Sequence, residues 1–382
     1  MLLLSAGGRE ADPSLRMLLR QKIDWRRLCG LAEREHASAV LWARLTRLGC
    51  EAGPDTALLQ RLGMVSEFRL VRLQQRLYET SDALAAAGID VVLLKGVAIA
   101  HTAYESFVHR PMGDIDLLVR PERATAAREI LQASGWIRSP DGFPDEAYEG
   151  HQHLPPFADA SGSGARLDLH TDLFFEGHPF RFSSGAVRDR AGHVRVDNHD
   201  LLVPDLLHQL LHVCIHFAYS HMMTQAAWRT FRDIGAIVGT GRVDWKEFVR
   251  LARESGGESC SYWTFRLAQT STGVAVPAHV LEDLRPSLPQ AALRLLERHF
   301  TLGLLPTHSS CPSVRLLNLL WRAGLFSGRT TRGSVRPWGR LRRFHSPSSQ
   351  GGAGLLKGLP RHIRHAAASP RYLWGILRGS PV

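Results

Sequence analysis

The sequence predicts an α+β fold in which a small mixed β-sheet core lies between N-terminal and C-terminal helical domains. Apolar residues recur every three or four positions before residue 88 and again after residue 200, which indicates amphipathic helices. Between these stretches, short apolar runs alternate with turn residues, which is typical of buried strands. The predicted boundaries are 1–87 for the N-terminal helical region, 88–200 for the α/β core, 201–328 for the C-terminal helical domain and 329–382 for a basic, partly flexible tail.

The N-terminal region is predicted to be a helical packing layer. Asp24 is suited to cap its second helix, because a carboxylate there can accept a hydrogen bond from a free first-turn amide. Gly49 and the Gly53-Pro54 pair interrupt the helical pattern before a long amphipathic stretch. The predicted helices cover residues 13–19, 25–35, 37–48 and 56–87.

The core opens with a strand, a turn and a helix, followed by a second strand. The apolar run at 89–94 is short enough for a buried strand, and residues 95–96 turn it into a helix over 97–104. A turn-like break at 110–113 separates this unit from a second strand at 114–119.

The second strand carries two carboxylates on one face, because side chains two residues apart along a strand point the same way. Asp114 and Asp116 share that face, while Ile115 and Leu117 point into the core. Two adjacent carboxylates repel each other unless a cation lies between them, and hard oxygen ligands suit Mg²⁺ or Mn²⁺. The alternative is an exposed strand end with two solvated acids.

A predicted hairpin follows, with strands at 151–157 and 165–170 on either side of a Ser/Gly-rich turn. On its second strand, Asp168 and His170 face one side, opposite two leucines. His153 lies on the first strand. These side chains could belong to a site, with His170 binding phosphate or orienting Asp168, or they could be polar strand positions exposed to solvent.

These motifs together resemble the uncharacterised nucleotidyltransferase family, a branch of the polymerase-beta-like superfamily that also includes aminoglycoside nucleotidyltransferases. The resemblance covers about residues 60 to 260. The matching residues are Leu94-Lys95-Gly96, Tyr104, Arg110, Asp114 to Val119, Arg232-Asp233-Ile234 and Asp244-Trp245.

The resemblance implies an enzyme that moves a nucleoside monophosphate from an NTP to a hydroxyl or phosphate group, using two Mg²⁺ or Mn²⁺ ions. It implies that Asp114 and Asp116 are catalytic metal ligands, and that a later strand supplies a third carboxylate, for which Asp168 is the candidate. The implied nucleotide-binding residues are Lys95, Gly96 and Arg110, and the acceptor is expected near His153, His170 and His216.

Lys95 departs from the wider superfamily, where a Gly-Ser pair usually forms this turn. A lysine there could contact a phosphate as a flexible point charge. The alternative is that Lys95 pairs with Asp114 or Asp116 and reduces the repulsion between them in the empty site.

Three histidines at four-residue spacing, His208, His212 and His216, lie on one face of a predicted helix. A helical histidine row could bind a transition metal. No carboxylate joins the row at matching spacing, so the favoured interpretation is a polar stripe that lines a cleft between domains.

Charge, cysteine spacing and the length of apolar runs limit which other classes of protein are possible. The net charge of +11 resides in the tail, since residues 329–382 contain 11 lysines and arginines and no acid. This tail, with Trp338 and Phe344, could bind RNA or an anionic surface, or be a solvated segment.

The five cysteines are widely spaced, which predicts buried reduced thiols. No apolar run is long enough to cross a membrane, and we predict a cytoplasmic protein.

The acceptor does not follow from these residues. Members of the resembling family are often encoded beside genes for ribosomally made, modified peptides such as lasso peptides, which makes a peptide acceptor one expectation. An aminoglycoside-like molecule and a protein hydroxyl group are the others. A catalytically inactive nucleotide- or partner-binding module, and an RNA-binding protein acting through its tail, are alternatives to an enzyme.

Overall fold

The computed structural model describes residues 1–305, 313–326, 369–370 and 372–378. Most of the predicted basic tail, including Trp338 and Phe344, lies outside the described residues. The residues at 369–370 and 372–378 are helical. There Tyr372 and Ile376 are buried, and the Tyr372 hydroxyl forms a 2.7 Å hydrogen bond with Nδ1 of His299. This part of the predicted tail is therefore packed against the body.

The described residues form one mixed sheet of seven strands. Its spatial order is β3-β4-β5-β2-β1-β7-β6, with parallel pairing between β2 and β5 and between β1 and β7. The α+β prediction, with helices before and after a small mixed sheet, is confirmed. The strands are β1 (Val92–Leu93), β2 (Asp114–Leu118), β3 (Trp136–Arg138), β4 (Phe157–Asp159), β5 (Arg166–His170), β6 (Gly192–Val196) and β7 (His199–Val203).

Besides the helical residues at 369–370 and 372–378, the described parts of the chain contain fifteen α-helices. Five precede the sheet: α1 (Leu2–Ala6), α2 (Asp12–Leu19), α3 (Trp25–Arg34), α4 (Ser38–Arg47) and α5 (Ala57–Ala86). Three lie between strands: α6 (Lys95–Thr102), α7 (Ala124–Ala133) and α8 (Ser184–Asp189). The rest follow: α9 (Leu206–Ile215), α10 (Ala227–Gly239), α11 (Trp245–Ser255), α12 (Glu258–Thr272), α13 (Ala278–Leu284), α14 (Gln290–Gly303) and α15 (Val314–Phe326). None of these helices is both long and apolar enough to span a bilayer.

The local signals for helix ends hold in the structure. The Asp24 carboxylate accepts a hydrogen bond from the Arg27 amide, which caps α3 as predicted. Asp244 caps α11 in the same way, through the amide of Glu247. The long amphipathic stretch forms α5 without interruption.

The sheet differs from the prediction at three places. The predicted strand at 151–157 does not form over most of its length, because only His153 makes an isolated bridge, to His170, and β4 begins at Phe157. Strand β1 is only two residues long, because only Val92 and Leu93 pair with neighbouring strands. The apolar residues of the run at 89–94 are nevertheless all buried. The β6–β7 hairpin was not predicted. Its β6 residues are exposed or half-buried, so they lack the strong apolar alternation that marks a strand in sequence.

Two hydrophobic cores cover opposite faces of the sheet. One joins α5, α6 and α7 to Ile115 and Leu117, as the alternation along β2 predicts. The other contains α1, α3 and α4 together with α9, α10 and α12, and it reaches the opposite face of β2 through Leu118. The N-terminal and C-terminal helices thus share a core, and they enclose the face that carries Asp114 and Asp116.

The prediction of buried reduced thiols holds for three of the four cysteines that the structure describes. Cys29, Cys214 and Cys260 are buried free thiols, while Cys50 is free but half-buried. Cys50 follows α4 and packs, partly buried, against the core that contains α4. Cys311 lies outside the described residues.

Candidate active site

The parallel pairing of β2 with β5 brings the predicted carboxylates together. Asp116 lies directly opposite Asp168 in this register, and Asp114 lies opposite Arg166. Asp114, Asp116 and Asp168 all line a cavity of about 340 Å³ between the sheet and the helices. Asp168, which is far from Asp114 and Asp116 in sequence, is thus their neighbour in space.

Asp116 is the most enclosed carboxylate, with a 3% exposed fraction. Its Oδ1 accepts hydrogen bonds from Lys95 Nζ at 2.7 Å and from His170 Nε2 at 2.9 Å. Burial alone would raise the pKa of Asp116, but the Lys95 charge and the His170 hydrogen bond lower it well below its usual range. Asp116 is therefore ionised across the physiological pH range.

The pKa values of Asp114 and Asp168 are shifted in the opposite direction, upward. Burial, together with the charges of Asp116 and Asp168, raises the pKa of Asp114 to about 6. Burial and the Asp116 charge also raise the pKa of Asp168. The site thus contains one firmly ionised carboxylate beside two that hold their protons more readily, because like charges in a low-dielectric cavity destabilise one another.

Lys95 lies at the turn from β1 into α6. Its backbone adopts a left-handed conformation with φ +48°, which is uncommon for a residue with a side chain and costs about 1 kcal/mol. Burial alone would lower the pKa of Lys95, but the Asp116, Asp168 and Asp114 carboxylates raise it. The ammonium group is therefore charged, and the pairing predicted as the alternative role of Lys95 is present in this structure.

A group of potential metal ligands lies at the same place. Asp116, Asp168 and His170 each offer one donor atom, and these atoms lie within 4.8 Å of one another. Asp114 lines the same cavity but is not part of this group of three. His153 packs beside the group of three. Its Nε2 lies 3.9 Å from Oδ2 of Asp168, and its ring centroid lies 5.2 Å from that of His170.

Arg110 is held by the C-terminal helices. Its Nε and Nη2 donate to the two carboxylate oxygens of Asp233 on α10 at 3.1 and 2.7 Å. The Tyr104 hydroxyl donates to the same carboxylate at 2.9 Å. The predicted nucleotide-binding arginine thus lines the cavity as one half of a bidentate ion pair that joins the sheet region to α10.

Gly96 is required by the position of Arg110. A Cβ atom at residue 96 would overlap Nη1 of Arg110 and would lie 2.9 Å from its Cζ. Because Asp233 holds the guanidinium group in place, the guanidinium cannot move aside freely. The glycine therefore leaves room for the arginine at the N-terminus of α6.

Gly96→Ala is accordingly expected to displace Arg110 and to lower the stability by about 1 to 3 kcal/mol. Thermal unfolding of the purified variant would measure this effect. Gly30→Ala is the matched control, because a Cβ atom at that helical position meets nothing within 4 Å. Equal unfolding temperatures for wild type and Gly96→Ala would contradict this role.

Histidines form much of the opposite wall of the cavity. His208, His212 and His216 all line it, as the polar-stripe interpretation predicts. Within the described residues they do not belong to a group of three close metal ligands. Burial lowers the pKa of His212 to about 3, so that the ring is neutral. Its Nε2 is buried and has no hydrogen-bond partner among the described residues.

The cavity residues that were not predicted include His151, His221 and Arg229. His151 precedes His153 by two residues, so strand alternation could have placed both on one face. Arg229 precedes Asp233 by four residues on α10, a spacing that places both on one helix face. His221 follows a π-helical turn at His216–Ser220, which sequence periodicity does not reveal.

A cluster of aspartates on adjacent strands, beside a strand–turn–helix unit and open to a deep cavity, matches the nucleotidyltransferase arrangement that the sequence resembles. The chain belongs to the uncharacterised nucleotidyltransferase family, whose model matches residues 21–273. The structure is also similar to the solution structure of the antibiotic-resistance factor ANT(2'')-Ia, at 14% sequence identity and a TM-score of 0.30. That match covers 56% of this chain and 89% of the other. No curated protein matches the sequence.

Proposed function

We propose that the protein is a metal-dependent nucleotidyltransferase that moves a nucleoside monophosphate from an NTP to a hydroxyl or phosphate group. The observation that carries this proposal is the pairing of Asp116 with Asp168 across β2 and β5, with Asp114 on the same face. A cavity of about 340 Å³ opens onto these carboxylates. Family membership supports the reaction class.

The donor set fits a divalent metal. Asp116 and Asp168 offer oxygen atoms, with Asp114 beside them, and His170 adds a ring nitrogen. Oxygen ligands suit Mg²⁺, and a nitrogen ligand extends the set to Mn²⁺. When bound, such a metal acts as a Lewis acid that neutralises phosphate charge and acidifies an acceptor hydroxyl group.

Residues of the chain itself would perform the remaining tasks. Lys95 and Arg110 would offset the negative charge that develops on the departing diphosphate. The amide end of α6, next to Gly96, favours an anion. In the transfer step, an acceptor oxygen bonds to the α-phosphorus, the bond between the α-phosphorus and the bridging oxygen breaks, and diphosphate leaves. Asp168 would take the acceptor proton, a role that its raised pKa favours.

The acceptor would lie on the histidine side of the cavity. His153 and His170 flank Asp168, while His216 lies on the helical wall. Neutral histidines can donate or accept hydrogen bonds, which suits a hydroxyl-bearing or phosphate-bearing group. A ribosomally made peptide, a small molecule and a protein side chain all remain within this proposal.

The test is to incubate the purified protein with Mg²⁺, a host lysate and NTPs labelled at either the α- or the γ-phosphate. Nucleotidyl transfer moves the α-label to the acceptor and releases the γ-label as diphosphate. The Asp116→Asn variant is the control. Transfer of the γ-label, or equal α-labelling by the variant, would contradict the proposal.

One observation favours an alternative, a catalytically inactive module that binds a nucleotide or a partner. Lys95 already supplies a cation to Asp116 at 2.7 Å, and the usual serine of the turn is absent. Such a module would bind NTP without releasing diphosphate. Binding and diphosphate release, measured on the same sample, separate the two functions.

The raised pKa of Asp114 predicts how metal affinity depends on pH. A carboxylate must lose its proton to bind a metal, and the pKa of Asp114 is about 6 in the metal-free protein. The apparent affinity for Mn²⁺ should therefore rise up to about tenfold per pH unit below pH 6 and level off above it. Calorimetric titration from pH 5 to pH 8 would measure this slope. The slope should flatten in Asp114→Asn, and an affinity independent of pH would exclude Asp114 as a ligand.

A further inference from the structure

Arg229 differs from the other cations of the cavity. Lys95 pairs with Asp116, and Arg110 pairs with Asp233. Arg229 lines the same cavity from the first turn of α10. Among the residues that the structure describes, no hydrogen bond or ion pair within 4.0 Å involves its guanidinium group. The half-buried arginine therefore retains a full charge that the protein does not neutralise directly.

Two of the acids that act on Arg229, Asp233 and Glu35, already have other partners, while Asp114 acts on it without a contact within 4.0 Å. Asp233 accepts from Arg110 and from the Tyr104 hydroxyl. The buried Glu35 carboxylate accepts from the Trp228 amide at 3.1 Å, at the N-terminus of α10. Burial and the Arg110 charge lower the pKa of Arg229, which shows an unfavourable environment for the cation. A charge kept in such a place without a close partner is suited to an anionic ligand.

His221 lies beside this arginine on the cavity wall. Its Nδ1 is buried without a hydrogen-bond partner among the described residues. Burial and the Arg229 charge lower the pKa of His221 to about 4, so the ring is neutral. The backbone between the two residues is left-handed at Met222, Met223 and Ala226, with φ of 51°, 57° and 57°. Strain of this kind concentrates at functional sites.

We propose that Arg229, assisted by His221, binds the β- and γ-phosphates of the NTP. Arg229 is close enough to Asp114 to lower the pKa of that carboxyl group against the stronger effects of burial and the other aspartates. A planar guanidinium group pairs with two phosphate oxygens at once. The charges of Lys95 and Arg110 are already partly neutralised by Asp116 and Asp233. This inference rests on the proposed function and assigns to α10 a part in substrate recognition.

The test compares Arg229→Gln and Arg229→Lys with wild type in calorimetric titrations with Mg²⁺. The probes are inorganic tripolyphosphate, the common NTPs and the matching NMPs. Arg229→Gln should weaken binding of NTP and tripolyphosphate by about 10- to 100-fold and leave NMP binding unchanged, since a charge-assisted hydrogen bond is lost. Arg229→Lys should recover part of the loss. Arg250→Gln, which changes a surface arginine paired with Glu247 and Glu254, is the control and should bind like wild type.

Melting temperature separates ligand binding from a structural role. Without ligand, Arg229→Gln should be at least as stable as wild type, because it removes a poorly compensated charge. A clear drop in its melting temperature would make Arg229 structural and overturn the inference. Unchanged NTP binding, or equal weakening of NTP and NMP, would overturn it too. A wild-type protein that binds none of the NTPs would refute the proposed function itself.

Discussion

Asp114→Asn and Asp116→Asn should each lower the rate of nucleotidyl transfer by roughly 10³-fold or more. The two variants should shift the stability of the metal-free protein in opposite directions. Both variants lose a carboxylate that would hold the metal. Their neighbours differ, because Asp116 is paired with a cation and Asp114 is not. The two residues can therefore be told apart by unfolding measurements as well as by activity.

Asp116→Asn should destabilise the protein by about 2 kcal/mol, because the buried carboxylate accepts charge-assisted bonds from Lys95 and His170. The side chain of Lys95 is 21% exposed, so water limits the cost of leaving its ammonium group unpaired. The neutral amide keeps the shape of the carboxylate but not its charge. We expect a lower melting temperature at pH 8.

Asp114→Asn should stabilise the metal-free protein at pH 8 by about 1 to 3 kcal/mol. The pKa of Asp114 is raised to about 6 in the folded state, so folding favours the protonated form. Stability from this group is fully present at low pH and is lost as the pH rises through about 6. A neutral amide removes that loss, and the difference between variant and wild type should vanish near pH 4.

Thermal and urea unfolding at pH 4 and pH 8, without metal, would test this contrast. Asp90→Asn, which changes an exposed acid just before β1, is the matched control and should leave the unfolding unchanged. Shifts in the same direction for both variants would show that the ion pair seen at Asp116 does not persist in solution.

Asp233→Ala is the second change with a large expected effect, at about 3 to 5 kcal/mol of lost stability. It leaves the buried Arg110 guanidinium and the Tyr104 hydroxyl without their common acceptor. The paired side chains of Arg110 and Asp233 are only 12% and 4% exposed, so solvent cannot replace the carboxylate. The contact between α10 and the sheet region should loosen as a result.

A double-mutant cycle with Arg110→Ala would isolate this pair, with an expected coupling energy of about 2 to 3 kcal/mol. The matched control is the exposed pair of Arg253 and Asp283 at 3.3 Å, where Asp283→Ala should cost less than about 1 kcal/mol. If the two pairs gave similar coupling energies, the bidentate contact would not join α10 to the sheet region as described.

Local patterns in the sequence were sufficient for the elements that carry the site. Alternation placed Asp114 with Asp116 on one face of the first strand, and Asp168 with His170 on one face of the second, and the structure has both strands where they were predicted. The helical spacing of His208, His212 and His216 likewise predicted a polar stripe. Such patterns depend on backbone geometry within a few residues, which the order of side chains reveals directly.

The contacts that make those residues a site depended on tertiary structure. The opposition of Asp116 and Asp168 requires the register of two parallel strands that are distant in sequence. Neither the pairing of Arg110 with Asp233 nor the unpaired charge of Arg229 can be read from spacing. A charged side chain finds its partner according to which helix packs over which strand. The sequence alone therefore determined the strands, helices and candidate carboxylates, while packing decided which charges were neutralised and which remained available for a ligand.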